Sequence, residues 1–470
     1  MASDDNPLVL LIGPDKYVIQ ACIKHNIDAV VIYGSEAWDK GMMNLPACMR
    51  AVRVEEQSSP ENVLAALHRS GLAKLNYAGV QTSDEGALTT AGLLAEHLGC
   101  RGIDPETTVH FRDKSLQKRR IAEAGIPTAD FRLIEDINDV SDFAELPFER
   151  AVLKPVAGGG TMHTSVVHSV QDLRERSAEY FFTSSSQRTF MLEEFVIGDE
   201  WIADGVMFEG ELLFLSLGRY GKNCLATVEQ SDLLWSRRFQ PDSEAWAFEI
   251  AEPLVERALH ALRLQDGVFH MEIFHDPQTG FLRFGECAAR RGGGLAHEQI
   301  QAKFSVSLGE SALLCAIGRP PNLQIKIRPE IIGGADLAVP PGTLLKCPKN
   351  ADLAARPGVE YAYIETPLGA NIPSGITSTV NTIGQFLVSA DSEEALERRF
   401  NEVQTWFADQ SVVAPQSSVK RELRQWQRRT WPESDTGDQL WFGTWSHRAQ
   451  EEGAPRPQDV GPEPHGRRTR

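Results

Sequence analysis

Apolar residues in the first 110 positions come in short continuous runs rather than in alternation. Leu8 to Ile12 is closed by Gly13-Pro14 and Ala29 to Tyr33 by Gly34, and 52–56 and 77–81 repeat the texture. Helix-period segments at 15–25, 60–70 and 84–97 lie between the runs. A strand that is apolar at successive positions is covered on both faces, so this pattern predicts a parallel sheet flanked by helices. Gly13 stands without the G-x-G-x-x-G spacing, which leaves a dinucleotide site here unsupported.

From about 112 the pattern changes. A Lys/Arg-rich helix over 113–124 is ended by Gly125-Ile-Pro127, and a strand over 151–155 runs into Gly158-Gly159-Gly160. Strands near 190–197, 201–208 and 211–217, a helix at 243–263 and a strand pair at 268–275 and 281–287 follow. Beyond them come strands near 331–339, 359–365 and 383–389 and a helix over 392–408 that Ser392 is suited to cap. The expected fold class is α/β and α+β, multidomain. The divisions are an N-terminal parallel-sheet domain at 1–110, a small subdomain at 111–195, a larger one at 196–320, an α+β lobe at 321–413 and a mostly disordered tail at 414–470.

Charge narrows the function classes. There are 47 Lys and Arg against 65 Asp and Glu, a formal net charge of −18. Nucleic acids and anionic membranes both need basic surface, so neither is an expected partner. Seven scattered cysteines without a C-x-x-C pair fit neither a disulfide framework nor a zinc module. The first residues place two acids where an export signal carries positive charge, and no apolar run reaches the ~18 residues that span a bilayer. A cytoplasmic protein without a membrane segment is expected. From Pro415 onward ten basic residues meet eight acidic ones, and four of the nine tryptophans (426, 431, 441 and 445) lie there. Disorder is the reading for 453–470, and a short Trp-containing docking segment is an alternative for the rest.

Several residues carry chemistry. Lys154 ends an apolar strand beside Gly158, Gly159 and Gly160, so one cation and several backbone N–H groups can surround a polyphosphate, although a hairpin turn with a surface lysine explains the same residues. Glu193, Glu194 and Glu200 surround Phe195 to Gly198, where a strand end can offer backbone groups to an adenine edge and a carboxylate to ribose hydroxyls. Glu272 and Glu286 flank the turn Asp276 to Gly280, and two strands joined there bring both carboxylates together. Such a pair repels unless it shares a hard cation such as Mg²⁺. His270 alternates onto the face of Glu272. Arg290 leads into Gly292, Gly293 and Gly294, whose amides can meet an anion.

In order, Arg112-Asp113-Lys114, Gly125-Ile-Pro127, Lys154-Pro155 with its glycine loop, Glu193-Glu194-Phe195 with Gly198-Asp-Glu200, Glu272, and Glu286 to Arg290 resemble the motif series of the ATP-grasp superfamily over roughly residues 1–410. Within it the chain is most similar to the carboxylate–amine ligases that join amino acids. The resemblance implies an ATP-grasp fold with a pre-ATP-grasp parallel sheet at the N-terminus, ATP and Mg²⁺ or Mn²⁺ as cofactors, small-molecule carboxylate and amine substrates, and a homodimer. It assigns Lys114 and Lys154 to the phosphates, residues 158–160 to a lid, Glu193, Glu194 and the Phe195 backbone to the adenine end, Glu200 to ribose, Glu272 and Glu286 to the metal, and Arg290 to the transferred phosphoryl group or the acyl oxyanion. His270, Gly293 and Gly294 are implied near the substrates. The family often has Asn two residues after its second metal glutamate and Pro next, where this chain has Ala288 and Ala289. A nucleotide-binding regulator without turnover, and a ligase or carboxylase using another nucleophile, remain as alternatives.

Overall fold

The computed structural model describes residues 6–39, 45–46, 49–181, 183, 187–374, 378–379, 382–416 and 420–430. The N-terminal strands β1 (Leu8–Ile12), β2 (Asp28–Tyr33), β3 (Met49–Arg53) and β4 (Gly79–Thr82) form a parallel sheet in the order β3-β2-β1-β4. Successive residues serve opposite cores, which is why the runs are continuous. Leu10, Ile12, Val30 and Ile32 pack with Val63, Leu67 and Leu94, whereas Val9, Leu11 and Val31 pack with Val18, Cys22 and Leu313. The third strand lies at 49–53 rather than 52–56, because its pairing with β2 begins at Ala29↔Met49. The segment expected as one helix over 84–97 opens as a 3-10 turn, Glu85–Ala87, before the helix Leu88–Leu98. The Asp84 carboxylate causes this by accepting from the Gly86 N–H, and it leaves Glu85 on a turn at the sheet's edge.

Strands β5 (Phe131–Ile134), β6 (Ala151–Pro155), β7 (Ser165–Val167) and β8 (Phe190–Glu194) make an antiparallel sheet in the order β5-β8-β6-β7. Ala151, Leu153, Phe190 and Leu192 bury one face against Leu173 and Tyr180 of the helix Val170–Phe181. Period-two alternation sends Val152, Lys154 and Glu193 to the other face, with Val152 directly opposite Glu193. β8 ends at Glu194, short of the expected 197.

The largest sheet contains β9 (Asp199–Phe208), β10 (Glu211–Tyr220), β11 (Trp235–Arg238), β12 (Gly267–His275), β13 (Leu282–Ala288) and β14 (Ile331–Leu337). After β15 (Gly342–Lys346) it gains β16 (Val359–Ile364), and after β17 (Asn371–Ile372) it gains β18 (Gly384–Ala390), for the order β13-β12-β9-β10-β11-β14-β18-β16. The helix Ala245–Leu262 repeats apolar residues at Ala247, Ala251, Val255, Leu259 and Leu262 and covers one face, packing on Trp201, Ala203, Phe269, Met271 and Phe284. The opposite face carries Glu200, Ile202, His270 and Glu272 into a cavity of about 300 Å³.

A second compact unit, Val339–Pro348, Thr366–Ser374 and the chain from Ala408, holds a sheet in the order β17-β15-β19, where β19 is Val412–Ala414. Its residues Lys420–Thr430 are helical, within the tail expected to be mostly disordered. Three of the four tail tryptophans, Trp431, Trp441 and Trp445, and residues 453–470 lie outside the described residues. Among the described residues no helix is long and apolar enough to cross a membrane.

Candidate active site

Three lysines and one glutamate make the first layer of the site. Lys114 and Lys118 share a face of the helix Lys114–Glu123, which Asp113 caps by accepting from the N–H groups of Ser115 and Leu116. Glu193 Oε1 lies 2.6 Å from Lys118 Nζ and Oε2 lies 2.5 Å from Lys154 Nζ. Burial alone would raise the Glu193 carboxyl, but Lys118 and Lys154 hold it below the usual range. Lys118 also donates to Thr128 Oγ1 and to the Gly285 carbonyl. The Glu193 carboxylate is paired with these two lysines, and the Phe195 N–H donates to the Arg150 carbonyl at 3.0 Å. Glu194 faces Arg283 at 3.2 Å, and the Arg150 guanidinium lies 3.5 Å from the Phe195 ring centroid.

The two other carboxylates meet as expected: Glu272 on β12 is the register partner of Glu286 on β13. What brings Glu286 to the cavity is a bulge. Ile273 pairs with Phe284, and Gly285 is the extra residue, so Phe284 faces the core while Glu286 faces the site. Burial would raise the Glu286 carboxyl, yet Lys114, whose Nζ is 3.2 Å away, and Lys154 at 4.0 Å bring it down to about 2. The Glu272 carboxyl is pushed well above its ordinary value by burial, then by Glu286 and Glu200. Burial likewise raises Glu200 to about 7, although it accepts from the Cys224 N–H at 2.8 Å. Close carboxylates whose proton affinities separate this way form an incomplete site for a hard cation.

Arg290 reaches the same cavity, held by Glu85, with Nε 3.0 Å from Glu85 Oε2. Arg112 approaches Glu85 as well, at 3.4 Å. The glycine loop crosses this corner. Gly158 accepts from Lys114 Nζ at 3.1 Å, and Gly160 accepts from the Thr379 N–H at 3.2 Å and from the Ser378 hydroxyl. Gly160 has φ +58°, and Thr161 follows at the same angle, a sharp left-handed turn that glycine makes easily. His270 Nδ1 lies 2.9 Å from Asp204 Oδ1, and its Nε2 is 4.0 Å from Glu272. Gly292 is required beside them, because a Cβ there would fall 2.7 Å from His270 Nδ1. Gly293 and Gly294 line the cavity next to it.

No family model matches the chain. It is 29% identical over 271 residues to the L-arginine-specific L-amino acid ligase of Bacillus subtilis, a match spanning 56% of this chain and 64% of that protein, so less than two thirds of the relative's own length is covered. Among solved structures it superposes on an L-amino acid ligase from Bacillus licheniformis with a TM-score of 0.71 at 20% identity, covering 88% of this chain and all of that one. An ATP-bound carboxyaminoimidazole ribonucleotide synthase from Aspergillus clavatus gives 0.63 at 16% identity, over 86% and 99%. The chain is thus similar in sequence to an amino acid ligase and shares the fold of these solved ligase structures.

One of these solved structures holds ATP, and the geometry here fits a nucleoside triphosphate with a divalent cation. Glu272 and Glu286 would hold the cation and Lys114 and Lys154 the phosphates. Among the described residues no group of three or more His, Cys, Asp or Glu is placed to hold a metal ion. Position 288, where Asn is common, lies opposite His270, and with Ala there the chain supplies no amide oxygen.

Four site residues escaped sequence reasoning. Lys118 was findable from its spacing to Lys114. Glu85 had no local signal, being brought to Arg290 from 205 positions away. Asp204 and Arg238 are completely buried and paired at 2.6 Å, and Arg238 also donates to Gln299 at 3.0 Å. Two predictions arise here. Arg238→Met leaves the buried Asp204 carboxylate with His270 in place of its guanidinium partner, and chemical denaturation should show a loss of about 3 kcal/mol. The raised Glu200 carboxyl keeps a proton in the folded state that the unfolded chain has already lost, so its contribution falls as pH rises from 4.5 to about 7. Urea titrations at pH 5 and pH 8 should show that Glu200→Gln removes up to about 3 kcal/mol of that decline.

Proposed function

We propose that the chain is an ATP-dependent ligase that joins the carboxylate of one amino acid or small peptide to the amine of another, through an acyl phosphate, with release of ADP and phosphate. The observation that carries this reading is the cross-strand pair Glu272 and Glu286 facing Lys114 and Lys154 in one cavity with Arg290. The relatives support the substrate class: one is an L-arginine-specific L-amino acid ligase and another an L-amino acid ligase. On this reading the partners are small molecules, with no nucleic acid, and the enzyme is cytoplasmic and homodimeric.

The chain's residues divide the work. Lys114 and Lys154 draw charge from the phosphates as a substrate carboxylate oxygen attacks the γ-phosphorus and the bond to the leaving ADP breaks. The bound divalent cation supplies Lewis-acid stabilisation of that transfer. The amine nitrogen then attacks the acyl carbon, the carbonyl oxygen takes the negative charge, and collapse expels phosphate while the nitrogen loses a proton. Arg290 and the amides of Gly293 and Gly294 are the donors available to that oxyanion. The loop at 158–160, tied to Ser378 and Thr379, excludes water that would hydrolyse the acyl phosphate.

The test is ADP and phosphate release from Mg²⁺-ATP across pairwise mixtures of amino acids and short peptides, with mass spectrometry of the product. A pair that stimulates release and yields a product of both masses less water is the expected result. ATP binding without ADP release in any mixture would overturn it.

A further inference from the structure

Beyond Arg290 and Gly294 the cavity continues to a wall built by β11, β14 and β18. Ser236 is the register partner of Gly334, and Asp336 is the partner of Gln385, so Ser236, Gly334, Asp336 and Gln385 share one face. The wall is fixed tightly. A Cβ on Gly334 would fall 2.7 Å from Gln299 Nε2, and Gln299 Nε2 donates to Ser236 Oγ at 2.9 Å. It is also continuous with the reacting end, because a Cβ on Gly294 would come within 3.3 Å of Gln385 Nε2.

Asp336 is the unusual member of this wall. Its Oδ1 accepts from Gln385 Nε2 at 2.8 Å, and among the described residues no Lys, Arg or His forms an ion pair with it. Four other cations of the cavity are already matched: Lys154 with Glu193, Lys114 with Glu286, Arg290 with Glu85 and Arg238 with Asp204. Burial pushes the Asp336 carboxyl up to about 7, the hydrogen bond from Gln385 opposes that rise, and Glu365 adds to it.

We propose that the Asp336–Gln385 pair receives the cationic side chain of an amino acid substrate, an ammonium or guanidinium group, and sets the enzyme's side-chain specificity. This rests on the amino acid ligase reading. A cation placed between Asp336 and the polar edge of Gln385 supplies the missing charge. A neutral side chain of equal length leaves the buried carboxylate unpaired, which is how a polar pocket rejects an apolar isostere.

The experiment uses the full chain with Mg²⁺-ADP or Mg²⁺-ATP at pH 8 and has two readouts. Calorimetric binding compares arginine and lysine with citrulline and norleucine, and steady-state turnover compares the same four in mixtures with small amino acids. The expected result is at least ~30-fold preference for a cation in both readouts. Asp336→Asn should lower kcat/KM for the cationic substrate roughly 100-fold, leave neutral substrates within about threefold, and leave ATP affinity unchanged; Asp336→Glu should recover part of the loss. Preference for arginine over lysine, or the reverse, separates the guanidinium from the ammonium form. Equal affinity for charged and neutral side chains overturns the proposal, as does an Asp336→Asn loss shared by all four. If no mixture yields ADP the ligase reading fails, and the binding comparison still decides the role of Asp336.

Discussion

Lys154→Ala should abolish measurable ATP binding and reduce kcat/KM by at least about 10³-fold, a loss of ~4 kcal/mol of transition-state stabilisation. Lys154 is the cation between Glu193 and Glu286, 2.5 Å from one and 4.0 Å from the other. Burial works against its charge, and the two carboxylates restore it, so it stays ionised at any working pH. Around it the protein alternates charge in one chain of contacts: Lys118, Glu193, Lys154, Glu286, Lys114. Removal of the central cation leaves two buried carboxylates sharing one fewer lysine, and that end of the cavity then repels a polyphosphate. Calorimetric titration with Mg²⁺-ATP reads the binding loss and initial rates read the catalytic one. Lys154→Arg should recover part of the affinity and little of the rate, because a guanidinium fork cannot occupy the ammonium's place between the two carboxylates. Wild-type ATP affinity in Lys154→Ala would place the phosphates elsewhere.

That alternating chain also explains which parts of the site the sequence revealed. Continuous apolar runs in β1 and β2 identify strands covered on both faces, because each residue there has a core to enter. Lys154 was legible for a different reason: it is the one charge in the apolar run of β6, at a strand end beside glycines. The Glu272 and Glu286 pairing followed from a hairpin turn at the right distance. The side of the sheet on which Glu286 sits was not legible. Simple alternation from Phe284 sends Glu286 into the hydrophobic core, and only the extra Gly285 reverses its direction. A bulge is a property of two strands in register, so one strand's pattern does not contain it. Glu85, Asp204 and Arg238 are likewise set by contacts across long sequence separations, and an acidic residue on an acidic protein carries no mark of burial. The ion pairs of Glu193 were not legible either, since Lys118 and Lys154 reach its carboxylate from a separate helix and a neighbouring strand.

Glu272→Gln and Glu286→Gln should shift stability in opposite directions while both lose turnover. Without ligands Glu272 is a destabilising charge: burial, Glu286 and Glu200 all oppose its ionisation, so its folded carboxyl titrates above the unfolded one and its contribution to stability falls as pH rises. A neutral amide of the same shape removes that conflict, and the ligand-free variant should unfold about 1–2 kcal/mol later than the parent at pH 8. Glu286 has the reverse linkage. Lys114 and Lys154 hold it down to about 2, so its ionised form stabilises the fold above pH 4.5 and that contribution is lost only as pH falls toward 2. Glu286→Gln should therefore cost about 2 kcal/mol, discounted for partial exposure of the side chain. With Mg²⁺-ATP added the parent should gain stability strongly and Glu272→Gln far less, because a cation needs the charge that the variant has lost. Nucleotide should still bind Glu272→Gln through the lysines, with kcat reduced by at least ~10³-fold. Denaturant titrations of the three proteins, with and without Mg²⁺-ATP, make the comparison. Destabilisation of the ligand-free protein by Glu272→Gln would mean that its carboxyl is structural, and the cation would have to be sought at another group of oxygens.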